Sequence, residues 1–187
     1  MAIRPYRGIL PTLGPGAWID ETAQVVGQVE LGPDVSVWPF VLIRGDVNRI
    51  RIGARSNVQD ASIIHVSRPH AGNEAGWPTL IGEDVVIGHK VALHGCTIRD
   101  RVLVGIGAIL LDGVEVGSDV IVGAGSVVTP GKKLEPGFLY LGNPARKSRE
   151  LTLQERERIP KMARDYVLLK QEYERRPGLA APAAPAE

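Results

Sequence analysis

Aromatic residues make up only 5% of this 187-residue chain, whereas glycine, valine, isoleucine and leucine are plentiful. That mix suits many short strands joined by tight corners. Cys96 is the only cysteine, which excludes an intrachain disulfide and makes a reducing compartment the default. Charge of one sign is also lacking. The formal net charge is +1, so no strong field favours nucleic acid or an anionic membrane. No stretch approaches the ~20 apolar residues of a membrane span. The first ten residues carry Arg4, Pro5 and Arg7 and no apolar core segment, so they are not a recognisable secretory signal. The expectation is a soluble, cytoplasmic protein of one domain with an appendage.

What the chain does have is a repeat. Stepping by six from Leu13 gives Ile19, Val25, Leu31, Val37 and Ile43; after one slip come Ile52, Val58 and Ile64. A second interruption precedes Ile81, Ile87 and Leu93. One residue is then missing, and Ile98, Val104, Leu110, Val116, Val122, Val128 and Leu134 follow without a fault. Glycine often comes next, as at Gly53, Gly88 and Gly105, and small apolar residues recur four places on, as at Val85, Val91 and Ala108. Period six matches neither the 3.6 of a helix nor the heptad, and an ordinary sandwich lacks such regular spacing. The reading is a short strand, a corner, and one inward side chain stacked on its equivalent in the next coil.

The pattern resembles the hexapeptide-repeat proteins. That resemblance implies a three-faced prism, a left-handed parallel β-helix in an all-β chain, where general crossover rules predict the opposite hand. Residues 1–145 are assigned to it. Leu13, Leu31, Ile52, Ile81, Ile98, Val116 and Leu134 fall on a first face. Ile19, Val37, Val58, Ile87, Val104 and Val122 fall on a second. Val25, Ile43, Ile64, Leu93, Leu110 and Val128 fall on a third. Residues 68–79, with Pro69, Gly72, Gly76 and Pro78, read as an excursion loop, a frequent carrier of function. Residues 146–175 are assigned to a C-terminal helix packed along the prism, opened by a capping box at Thr152 and Glu155. Pro160 is expected to kink it or split off its first turns. Residues 176–187, rich in Ala and Pro, are expected to be disordered.

Three histidines acquire positions from the repeat. His65 and His94 each follow a third-face aliphatic by one place, one coil apart, so their rings should stack about 4.8 Å apart. Two metal bonds of about 2 Å can close that gap. His89 follows Ile87 by two places and points around the corner. A trimer with its axis along the prism would bring His89 of one chain to His65 and His94 of another. Three such nitrogens and an open position are the catalytic arrangement for zinc; the alternative is three isolated surface histidines. Arg44 shares the column of His65 and His94, and Asp60 shares that of His89. Across a trimer contact Arg44 and Asp46 would face Gln59 and Asp60, as an interface lock, as outer support for a metal, or as an ordinary surface salt bridge. His70, in the excursion loop, reads as solvated, and Cys96 as a buried small residue.

Arg44-Gly-Asp46, Asn57-Val-Gln59-Asp60, His65, Gly88-His89 and Leu93-His94-Gly95-Cys96 together resemble the gamma-class carbonic anhydrases, over about residues 10–170. The resemblance implies a homotrimer whose three histidines bind zinc (or iron; cobalt is also considered) across subunit interfaces, with Arg44 and Asp60 as an interface salt bridge. Gln59 would lie beside the reacting water, and Tyr140 and Asn143 match further active-site positions. The implied reaction is reversible hydration of carbon dioxide to bicarbonate. Well-studied members carry a glutamate after the motif's aspartate; here Val47 stands there, leaving His70 and Glu74 as candidate proton shuttles. The alternatives are a metal-binding trimer with a structural or assembly role, a hexapeptide acyltransferase, and a thioesterase acting on coenzyme A esters.

Overall fold

A computed structural model describes residues 2–175; the expectation of a disordered tail at 176–187 falls outside the described residues. The chain winds as a left-handed parallel β-helix. The three columns read from the sequence are the columns of the structure. On the first face, parallel pairing aligns Leu13 with Leu31, Ile52, Ile81, Ile98, Val116 and Leu134 in turn. The second runs from Ile19 through Val37, Val58, Ile87, Val104 and Val122. The third runs from Val25 through Ile43, Ile64, Leu93, Leu110 and Val128. All are buried except Leu13 and Ile19, in the first coil, whose strands pair on one side only among the described residues. Tyr140 adds a last member to the second column by pairing with Val122.

The slip after Ile43 is resolved by two long strands, Gln24–Leu31 and Leu42–Ile52, which run together around a corner. They pinch where Gly27 faces Gly45; a Cβ on Gly27 would lie 2.4 Å from the Gly45 carbonyl oxygen. The register then shifts, and Asp46, Val47, Asn48 and Arg49 bulge outward, which aims Asp46 at the third face.

The excursion is a small hairpin pinned to the prism. Ser67 and Trp77 exchange backbone hydrogen bonds, as do His70 and Asn73. Asn48 Nδ2 donates to the carbonyls of Ser67 (3.1 Å) and Ala75 (2.8 Å). The Trp77 ring lies on Gly113, and its Cβ stands against Gly95, the shortened corner after His94. Gly95 has φ +59°, and any Cβ there would strike Asp112 and Trp77.

Residues 146–150, grouped by the sequence reading with the helix, form instead a strand antiparallel to Phe138–Leu141. The helix follows as Leu153–Arg175. Its capping box forms as expected: the Glu155 amide donates to Thr152 Oγ1 (3.2 Å), and the Thr152 amide donates to Glu155 Oε2 (2.9 Å). Pro160 does not break the helix; the carbonyl it leaves without an N–H partner is that of the exposed Arg156, which water can satisfy. The helix returns from the last coil to the first. Tyr166 and Tyr173 pack edge-on against Trp38, and Lys170, fully buried, donates to Gly16 O and Asp34 Oδ1. Among the described residues no helix is long and apolar enough to cross a membrane.

Candidate metal centre

His65 and His94 are partners in adjacent parallel strands, and their ring centroids lie 5.1 Å apart. One buried residue ties their coils together. Thr79 Oγ1 donates to the His65 carbonyl (2.6 Å) and accepts from the Gly95 amide (3.0 Å).

Each of the three candidate histidines is held by an aspartate. His65 Nε2 donates to Asp46 Oδ1 at 2.9 Å, His94 Nδ1 to Asp112 Oδ1 at 2.7 Å, and His89 Nδ1 to Asp60 Oδ2 at 2.9 Å. The carboxylates are themselves anchored: Arg44 bonds Asp46 Oδ2, and Ser67 Oγ donates to Asp112 Oδ2 (2.7 Å). Burial would raise the pKa of Asp46, but the hydrogen bonds from His65 and Arg44 outweigh it and hold the carboxyl below its usual value. Asp46 therefore stays ionised and acceptor-only.

The tautomers follow. A neutral imidazole that donates from one nitrogen presents a lone pair on the other. His65 Nδ1 and His94 Nε2 are those other nitrogens, and they face each other at 3.1 Å. Two lone pairs at that distance repel unless a proton or a cation lies between them. Nitrogens bound to one tetrahedral zinc by bonds of about 2.0–2.1 Å stand about 3.3 Å apart. The pair therefore fits a metal, and the carboxylate behind each ring is the usual outer support of a metal-binding histidine.

His89 belongs elsewhere in the chain, at the corner after the second face, bonded to Asp60 rather than to the other two histidines. Among the described residues no three His, Cys, Asp or Glu side chains of one chain gather as a metal-holding group. The surface beside the histidines is apolar. Ile63, Ala92 and Ile109 form a ladder on the outside of the third face, with Ile63 and Ile109 exposed. At the neighbouring corner Phe40 is 71% exposed and Ile106 is exposed as well.

Gln59 is buried, with Nε2 donating to Asn57 Oδ1 at 3.1 Å. Tyr140 does not join the histidines of its chain. It closes the second-face column three coils beyond Ile87, buried, with its hydroxyl accepting from the Glu135 amide (2.8 Å). Asn143 is exposed on the turn that follows. His70 and Glu74 are exposed in the hairpin, and the His70 ring donates only to the adjacent Ala71 carbonyl (3.0 Å). Burial pushes the Cys96 thiol up to about 12, as for an inert core residue. Asp112 and Thr79 escaped the sequence reading. The one available signal for Asp112 is that it lies eighteen residues after His94, one coil below it.

A parallel β-helix of stacked six-residue repeats, here with two aspartate-braced histidines on its third face, defines a class, the hexapeptide-repeat proteins. Residues 95–130 match the family described as "Bacterial transferase hexapeptide (six repeats)". The chain is 51% identical over 171 residues to Protein YrdA of Escherichia coli, covering 91% of this chain and 93% of that one. It is 40% identical over 165 residues to a carbonic anhydrase of Geobacillus kaustophilus, covering 88% and 87%. A hexapeptide transferase family protein from Anaplasma phagocytophilum superposes with a TM-score of 0.85 at 33% identity, covering 92% of this chain and 98% of that one. The chain belongs to the gamma-class carbonic anhydrase family.

Proposed function

We propose that the protein is a metal-dependent carbonic anhydrase, interconverting carbon dioxide and bicarbonate at three sites of a homotrimer in the cytoplasm. The observation that carries this reading is the facing pair His65 Nδ1 and His94 Nε2, each ring turned inward by an aspartate. His65 and His94 of one chain, with His89 of a neighbour, would hold the metal. Zinc suits three imidazoles and an open position best, with iron or cobalt also compatible. A bound zinc ion would lower the pKa of water to about 7 and so supply a nucleophile at neutral pH.

The chain's own residues do the rest. Asp46, Asp112 and Asp60 keep each imidazole in its ligating tautomer. Gln59 spends its amide N–H on Asn57, which leaves Oε1 to accept a hydrogen bond from the reacting water. Arg44, with its side chain partly exposed beside Asp46, can reach Asp60 of a neighbouring chain and lock the interface. The exposed apolar stripe of Ile63, Ile109, Phe40 and Ile106 supports a contact there, because such a patch beside a half-built site marks an interface. Tyr140 is assigned to packing, and Asn143 to the rim.

Stopped-flow hydration of carbon dioxide on zinc-loaded protein tests the reaction. A rate equal to the uncatalysed one, with one zinc per chain, would overturn it. The shared site has its own test: mixing His89→Ala chains with chains lacking both His65 and His94 should restore metal sites in mixed trimers. A second reading, a metal-holding trimer without hydration activity, is favoured by one observation. Val47 offers no proton acceptor, and His70 and Glu74 lie out in solvent.

A further inference from the structure

Asp46, which holds His65, also lines an open recess of about 280 Å³ together with Tyr6, Arg7, Val47 and Arg68. Its charge is unbalanced. Asp46 contributes the one carboxylate, but His65 and Arg44 already engage both of its oxygens. Neither Arg7 nor Arg68 forms an ion pair among the described residues. Val47 adds no charge to oppose them.

Both guanidinium groups hang from rigid turns. Arg7 sits at φ +49° in the turn closed by mutual hydrogen bonds between Tyr6 and Ile9, with its guanidinium 5.4 Å from the Tyr6 ring centre. Arg68 follows Ser67, which is fixed three ways: by Asn48 at its carbonyl, by Trp77 through the backbone, and by Asp112 at its hydroxyl. Two like charges converging on one small recess cost free energy unless an anion offsets them. A guanidinium offers a planar fork of donors that matches a planar oxyanion.

We infer that this recess binds bicarbonate, through Arg7 and Arg68, as the station beside the metal centre through which the anion leaves or enters. The inference rests on the hydration reading for its choice of anion. Recess and histidines share Asp46, which lines the one and holds His65 in the other, so the recess adjoins the place where the anion would be released. Because Arg44 already offsets the charge of Asp46, the two guanidinium groups carry an unopposed positive charge that a bound monoanion reduces by half.

The test titrates sodium bicarbonate, and in parallel sodium acetate, into the full-length protein by calorimetry. The buffer is chloride-free and of low ionic strength, and the protein is used both zinc-loaded and after chelator treatment. Bicarbonate binding that survives metal removal is expected. It should weaken at least tenfold in Arg7→Ala/Arg68→Ala and by only a few-fold in Arg7→Lys/Arg68→Lys, which keeps the charge without the fork. Circular dichroism and sedimentation must show the variants folded and assembled as the wild type; otherwise the single Arg7→Gln and Arg68→Gln changes replace them. Bicarbonate binding unchanged by the alanine pair, or lost wholly with the metal, overturns the inference. Acetate binding as tightly as bicarbonate overturns the choice of anion. Arginine-dependent bicarbonate binding in a protein that fails to hydrate carbon dioxide upholds the recess and overturns the catalytic reading instead.

Discussion

Asp112 accepts the Nδ1 proton of His94 at 2.7 Å and thereby turns the lone pair of Nε2 toward His65. An asparagine keeps the shape and loses the charge that fixes the tautomer. Asp112→Asn is expected to weaken zinc binding by about 10- to 100-fold, measured by competition with a chromophoric chelator. Unchanged affinity would remove Asp112 from the site. Ser67→Ala, which deletes only the second anchor of that carboxylate, should act in the same direction and more weakly.

The apolar ladder Ile63, Ala92 and Ile109 borders the histidine pair. Ile63→Asp/Ile109→Asp places two charges on an outer face that contributes nothing to the buried column. The expected product is a folded monomer by sedimentation, with native circular dichroism and no retained zinc. A trimer that tolerates both charges would place the interface elsewhere.

Glu155 closes the capping box and is paired with Arg149. Chiefly through the hydrogen bond from Arg149, its carboxyl is lowered from 4.5 to about 2. Because folding favours the carboxylate, the stability it contributes is complete above the unfolded value and is lost as pH falls through the folded one. Glu155→Gln should therefore melt earlier than wild type at pH 7, with the gap closing between about pH 4.5 and 2. A gap independent of pH would show that packing, not charge, sets the effect.

Lys170 ties the far end of the same helix to the first coil through Gly16 and Asp34. Its removal deletes hydrogen bonds to a buried ammonium, each worth about 1.5–3 kcal/mol. Lys170→Ala, which deletes both, is expected to destabilise the protein by at least about 1.5–3 kcal/mol. The loss should be seen first in the fluorescence of Trp18 and Trp38, which pack on Tyr173.

The inward columns were fully legible, because each aliphatic at spacing six can be buried only by stacking on the next. The same arithmetic reaches Tyr140, six places after Leu134, and marks it as a column residue. Asp112 was not legible, since aspartates also occupy corners where they brace the fold, as Asp84 does for Arg55 and Asp119 for Arg101. What sets Asp112 apart is the long-range contact with His94, which no local pattern encodes. The strand Arg146–Glu150 is exposed at every position. Backbone pairing alone makes it a strand, so it left no hydrophobic period to read.

His65 and His94 are twenty-nine residues apart along the chain, yet they are paired neighbours across adjacent parallel strands. The surplus length is spent in the hairpin pinned by Asn48 and Trp77, which leaves the prism after Val66 and rejoins it at Thr79. The gap between the two facing nitrogens is therefore set by the pitch of the backbone ladder and is insulated from the length of that hairpin. Its tip between His70 and Asn73 can be lengthened, shortened or recomposed as a separate variable, without moving the two histidines that would hold a metal.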